Sequence, residues 1–155
     1  MRYQGEELGF TEAQIEQHQL QDPFGIEFWP EFKGRDGCRT PMAWDNSAPL
    51  GGFSCSQAWL PVSNAHLDNS VKLQHNDAGS VLNFYRAFLS WRRGQDCLSQ
   101  GSINFVDSPD QLLAFIREHN GTRILAAFNI SDQSVNWVNA QSKDCLLYTS
   151  PSPRD

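Results

Sequence analysis

Between Gln21 and Asn76 the chain carries no sustained hydrophobic period, and this constrains its fold more than any other feature. Turn signals follow one another there: Asp22-Pro23, Lys33-Gly34, Asp36-Gly37, Pro49 to Gly52 and Asn64. A compact domain seldom contains so much irregular chain unless the segment is a functional loop held by a scaffold. Aromatic residues concentrate in the same stretch, from Phe24 to Trp59. Aromatic density on a loop suits a ligand-facing surface, and core packing is its commoner cause.

The flanks are more regular. Thr11 to Leu20 reads as a short helix, with Thr11 as N-cap and Gln14 completing a capping box. Arg2-Tyr3-Gln4 reads as the end of a strand. From Ser80 to Arg93 the residues Val81, Leu82, Tyr85, Phe88 and Leu89 recur at helical spacing, with Ser80 placed to cap and Gly94 to stop the helix. Such a helix buries one apolar stripe against a larger body. Beyond it lie short β-type runs, Ile103 to Val106, Leu112 to Arg117, Arg123 to Asn129 and Val135 to Val138. His119-Asn120-Gly121-Thr122 predicts a tight hairpin, because Asn-Gly tolerates the positive φ such a turn requires. A sheet of about four strands needs a partner layer to bury its apolar face. Cys145 to Asp155 continues no pattern and reads as a non-native tail, the alternative being a natural Ser/Pro-rich terminus.

Composition narrows the function classes. A net charge of −6 argues against nucleic acid, since phosphate binding needs clustered Lys and Arg. No apolar run is long enough to span a bilayer, so no membrane partner is expected. The four cysteines, Cys38, Cys55, Cys97 and Cys145, form no C-x-x-C pair and no zinc spacing. Reduced thiols in a cytoplasmic protein are the expectation. His18, His66, His75 and His119 match no metal or triad spacing and are expected to be solvated. Asn120-Gly121-Thr122 and Asn129-Ile130-Ser131 fit the glycosylation acceptor pattern, which matters only for a secreted eukaryotic protein.

Two stretches carry a resemblance. They are Tyr3-Gln4-Gly5-Glu6-Glu7-Leu8-Gly9 and Gly34-Arg35-Asp36-Gly37-Cys38-Arg39-Thr40-Pro41-Met42-Ala43-Trp44-Asp45. Together they resemble the end of the eighth barrel strand and the following loop in α-glucosidases and oligo-1,6-glucosidases, within glycoside hydrolase family thirteen of the α-amylase superfamily. Gln21-Asp22-Pro23, Trp59-Leu60-Pro61-Val62 and Leu82-Asn83-Phe84-Tyr85-Arg86 fall where that family has similar segments. The resemblance runs over residues 2–138.

It implies an α/β fragment: the last βα unit and long loop of a (β/α)8 TIM barrel, followed by part of an antiparallel β-sandwich. The division expected is 1–94 for the barrel end, 95–144 for the incomplete sandwich and 145–155 for the tail. A barrel needs about 250 residues, so the chain has room for only its last unit and is expected to be a fragment.

Retaining glycoside hydrolysis needs two carboxyl groups about 5–5.5 Å apart. Glu6 and Glu7 cannot supply them from a strand, where neighbours point to opposite faces. They are expected to anchor strand and loop instead. The resemblance places the nucleophile, the acid/base and a supporting Asp upstream, so no catalytic residue is expected in this chain.

The same resemblance makes Arg35 the leading substrate residue, reaching the glucose unit at the non-reducing end. Paired guanidinium donors suit sugar hydroxyls and a neighbouring carboxylate. Arg39 is a weaker candidate. The competing reading has both arginines tying the loop together through Asp36 and Asp45. Trp29, Phe32 and Trp44 are candidates to line the sugar entrance, with loop packing as the alternative. An α-glucoside oligosaccharide is the implied partner; no cofactor and no metal are implied. The rival functions are a transglycosylating or isomerising relative of the trehalose synthase or sucrose isomerase type, a non-catalytic transporter-associated relative, and an independent carbohydrate-binding β-sandwich confined to residues 95–140.

Overall fold

The computed structural model describes residues 4–138. They form two compact units, one up to Trp91 and one from Arg92. Arg2 and Tyr3, and the tail from Cys145, lie outside the described residues.

The first unit is mostly loop, as its punctuation predicts, but the loop is built from short helical pieces. A 3-10 turn at Glu6–Leu8 opens it, so Glu6 and Glu7 lie on a turn and not on a strand. Glu7 closes that turn, its Oε2 accepting from the Gly5 N–H at 3.1 Å. Helices follow at Pro23–Glu27 (α1), Asn64–Asp68 (α2), Val71–His75 (α3) and Val81–Arg93 (α4). The expected helix over 11–20 does not form; only Gln17–Gln19 makes a 3-10 turn, and its capping box uses Glu16 and Gln19. Long-range bonds outcompete the local helix. The Ala13 N–H donates to the Gly37 carbonyl at 3.0 Å, and the Thr11 carbonyl accepts from His66 at 2.8 Å. Extended backbone then buries Ala13 and Ile15 on one side, with Leu20 and the half-buried Trp29.

The predicted long helix is present as α4. The Ser80 hydroxyl accepts from the Asn83 N–H at 3.2 Å, a genuine N-cap. Of its apolar stripe, only Leu82 is buried among the described residues; Val81 and Phe88 are exposed. Gln74 links the start of α4 to the first turn. Its Nε2 donates to the Leu8 carbonyl at 2.7 Å, and its Oε1 accepts from the Leu82 N–H at 3.0 Å.

In the second unit a short helix, Asp96–Ser99 (α5), precedes a three-stranded antiparallel sheet in the order β1-β2-β3. The strands are Ser102–Phe105 (β1), Leu112–His119 (β2) and Thr122–Asn129 (β3). The hairpin between β2 and β3 is the predicted one, with φ of 48° at Asn120 and 80° at Gly121. Ala114 and Ile116 face one side and are buried, as is Cys97 on α5. The pleat puts Phe105, Phe115 and Phe128 on the other side as an aromatic row, with centroids 6.1 and 6.0 Å apart. Val135–Val138, expected as a fourth strand, carries no strand.

Candidate functional site

The motif from Gly34 to Asp45 is organised by two buried carboxylates that the sequence did not single out as a pair. Asp36 is fully buried, and its Oδ2 accepts the main-chain N–H of Gln21 at 2.6 Å and of Asp22 at 2.8 Å. Asp22, itself buried, sends Oδ2 back to the Arg35 N–H at 3.0 Å. Its Oδ1 caps α1 by accepting from Phe24 at 3.1 Å. Residue 36 thus holds the backbone of residue 22, and residue 22 holds the backbone of residue 35. The carboxylates clamp two segments that are remote in sequence.

Arg39 extends the clamp, with Nη1 3.9 Å from the Asp22 Oδ2. This corrects the expectation that Asp36 and Asp45 tie the arginines. Asp36 is spent on main-chain donors, and Asp45 pairs with Lys72 at 2.8 Å. Burial pushes the Asp22 carboxyl up, but the N–H bonds from Arg35 and Phe24 and the charges of Arg39 and Arg35 outweigh it and hold the group below the usual carboxylate range. The Lys72 ammonium, with help from Ser47, pulls Asp45 down to about 2.

Arg35 sits at the N-cap of the 3-10 turn Asp36–Cys38. Its side chain is exposed and has no ion-pair or hydrogen-bond partner among the described residues. A fixed backbone therefore carries free guanidinium donors. Among the aromatic candidates, Trp29 packs on the Ala13–Ile15–Leu20 core and carries Lys33 Nζ 5.8 Å from its ring centroid. Loop packing engages that ring, whereas Phe32 and Trp44 are exposed.

His66 overturns the expectation of four solvated histidines. It is buried and stacked on Phe10 at 4.3 Å with planes 6° apart. Its Nε2 lies 2.8 Å from the Thr11 carbonyl, which can only accept, so that nitrogen carries a proton. Its Nδ1 then meets the Thr40 hydroxyl at 3.3 Å. The ring ties Phe10 and Thr11 to the Arg39-Thr40-Pro41 segment. His75 is exposed but bonded to Arg86, with Nδ1 2.9 Å from Nη1. Nothing in the local sequence around His66 signals this role; the helical start of α2 delivers it.

Residues 1–101 match the family model described as the α-amylase catalytic domain. The chain belongs to the α-amylase family. Among curated members, "Probable alpha-glucosidase" of Rhizobium meliloti (strain 1021) is 49% identical over 85% of this chain and 24% of its own length. An oligo-1,6-glucosidase of Heyndrickxia coagulans is 27% identical over 87% of this chain and 28% of its own. Among solved structures, the α-glucosyl transfer enzyme XgtA superposes with a TM-score of 0.78 at 52% identity, covering 83% of this chain and 24% of its own. Trehalulose synthase MutB from Pseudomonas mesoacidophila MX-45 superposes at 0.69 with 29% identity, covering 82% and 26%. The chain spans about a quarter of the length of the curated relatives it matches. Among the described residues no helix is long and apolar enough to cross a membrane. Cys38 and Cys55 are exposed free thiols, and Cys97 is a buried one.

Proposed function

We propose that this chain serves a retaining α-glucosidase that removes α-linked glucose from the non-reducing end of oligosaccharides, and that Arg35 binds the glucosyl unit. The observation that carries the reading is the Arg35 side chain, exposed and making no hydrogen bond among the described residues, on a backbone pinned by Asp22 and Asp36. An arginine held in this way offers planar donors with little ordering left to do on binding. The names of the family's α-glucosidases and oligo-1,6-glucosidases support the substrate class.

In this reading the nucleophile and acid/base are not among residues 1–155, and the chain alone is inactive. Asp22 and Asp36 lie close together, but both oxygens of Asp22 and the Oδ2 of Asp36 are given to main-chain donors, which suits anchoring and not proton transfer. The first unit is read as the last βα unit and loop of the barrel. The second is read as the start of a β-sandwich, whose partner layer would cover the aromatic row of Phe105, Phe115 and Phe128.

Replacing Arg35 by Ala in the full-length enzyme is expected to lower kcat/KM on maltose by about 10- to 100-fold, the worth of a charge-assisted contact. An unchanged kcat/KM would remove Arg35 from the site. A second reading, glucosyl transfer or isomerisation in place of hydrolysis, is favoured by the likeness to an α-glucosyl transfer enzyme at 52% identity. Product analysis after incubation with maltose or sucrose separates the two: free glucose marks hydrolysis, and new oligosaccharides or sucrose isomers mark transfer.

A further inference from the structure

We propose that the tip of the β2–β3 hairpin is an N-glycosylation acceptor site, at which Asn120 of the folded protein receives a sugar from a nucleotide-diphosphate donor. The chain carries the acceptor pattern twice, as Asn120-Gly121-Thr122 and Asn129-Ile130-Ser131, at the two ends of β3. The sequence does not separate the two copies. The structure does.

At the tip all three residues are exposed. The turn is two residues long, with positive φ at both Asn120 and Gly121, which puts Asn120 at the apex of the hairpin. The neck below it is closed by the His119–Thr122 pair and by the Glu118–Arg123 ion pair at 3.4 Å. The Asn120 side-chain amide makes one contact, its Nδ2 lying 3.1 Å from Nε2 of the neighbouring His119. That contact is exposed, and water replaces it at little cost. The Thr122 hydroxyl is the group that a transferase reads two residues after the asparagine. It has no partner among the described residues. A Cβ added at Gly121 would meet nothing within 4 Å, so the face of the turn is open to an enzyme.

At the other end of β3 the same groups are spent on each other. Asn129 Nδ2 donates to the Gln133 carbonyl at 2.7 Å, and its Oδ1 accepts from the Ser131 N–H at 3.0 Å and from the Ser131 hydroxyl at 2.8 Å. The Ser131 hydroxyl accepts in turn from the Gln133 N–H at 3.3 Å. An asparagine closed into such a turn must give up several hydrogen bonds before its nitrogen can face a donor sugar. Both copies satisfy the pattern, and Asn120 is the one that presents it.

The step forms a bond from Asn120 Nδ2 to the anomeric carbon of the sugar. The anomeric C–O bond to the diphosphate breaks, the nucleotide diphosphate leaves with the electron pair, and one Nδ2 proton passes to a base of the transferase. Nothing is oxidised or reduced. The reaction needs a soluble donor and a transferase, and it suits a site that is offered after folding. The product places a bulky, hydrated group on a surface turn, where the contact it displaces is the one to His119. The proposal goes beyond the hydrolytic reading and does not depend on it.

The folded full-length protein is incubated with UDP-glucose and a soluble N-glycosyltransferase that reads this pattern, with a linear acceptor peptide in the same tube to show turnover. Trypsin cuts after Arg117, Arg123 and Lys143, so Asn120 and Asn129 fall in different peptides, and mass spectrometry reads the added hexose on each. Occupancy of Asn120 is expected to exceed that of Asn129 by about tenfold or more, the worth of the hydrogen bonds that hold the second amide. Thr122→Ala is expected to abolish the addition at Asn120 while the near-ultraviolet circular dichroism stays as in the wild type. An unmodified Asn120 beside a modified peptide, equal occupancy of the two asparagines, or an addition that survives Thr122→Ala overturns the proposal. The readout is a mass and not a turnover, so failure here leaves the hydrolytic reading standing, and a protein that cleaves no maltose can still carry the sugar.

Discussion

Truncating Asp36 to Ala should be far more damaging than truncating Ser70, although both residues are completely buried. Asp36 Oδ2 accepts two main-chain N–H groups, at 2.6 and 2.8 Å. Each hydrogen bond to a charged group contributes roughly 1.5–3 kcal/mol, and alanine would leave both donors without their acceptor. The gross loss is therefore about 3–6 kcal/mol, offset in part because a costly buried carboxylate is also removed. We expect the low end, about 3 kcal/mol, which is a large share of an ordinary domain stability of about 5–15 kcal/mol. Asp36→Asn keeps one acceptor but brings an amide whose donors meet no partner at Oδ1, an atom that has none among the described residues. It should fall between wild type and alanine. The Ser70 Oγ is buried with no partner among the described residues, so Ser70→Ala should lie within about 0.5 kcal/mol of wild type or slightly above it. Urea unfolding of the full-length protein, compared at constant m, reads all three. If Asp36→Ala and Ser70→Ala cost the same within about 1 kcal/mol, the clamp argument is wrong. Because Asp22 holds Arg35 from the other side, Asp36→Ala should also raise KM where folding survives.

Three further outcomes follow from the same contacts. Asp45 is held down to about 2 by Lys72 and Ser47; a lowered folded pKa adds stability above the unfolded value of about 3.8, and this is lost as pH falls through about 2. Asp45→Asn should flatten the acid limb of stability between those values, and an unchanged limb would show that the pair is too well solvated to matter. His66→Ala loses a ring stack and the bond to Thr11, about 2–4 kcal/mol together with the space left behind; nitrogen NMR of the native ring should show the proton on Nε2, and a proton on Nδ1 would contradict the assigned contact. Gly37→Ala would place a Cβ 2.5 Å from the Ala13 carbonyl oxygen and 2.6 Å from Glu12 Cγ; thermal unfolding should show a clear loss of stability, and a neutral result would mean that the two segments do not approach this closely.

What the sequence by itself determined was local. Helix α4 was legible because its apolar period, the Ser80 cap and the Gly94 stop lie within one window and agree. The β2–β3 hairpin was legible because Asn120-Gly121 takes its positive φ values without help from the rest of the chain. The family was legible from the Arg35-to-Asp45 string, and residues 1–101 match its model.

Tertiary structure decided the rest. Thr11 to Leu20 has helical capping residues, yet a carbonyl from Gly37 and an imidazole from His66 bind its backbone more strongly than its own next turn would. The sequence separation of 14 residues between the Asp36 carboxylate and the Asp22 N–H that it accepts leaves no periodic trace. A carboxylate that accepts main-chain N–H groups also pairs with no particular residue type, so its partners cannot be read from composition. His66 was placed in solvent for the same reason: its burial depends on Phe10, Thr11 and Thr40 arriving from distant segments. Periods and turn signals act over a few residues, whereas hydrogen bonds that close long loops depend on where the whole chain runs.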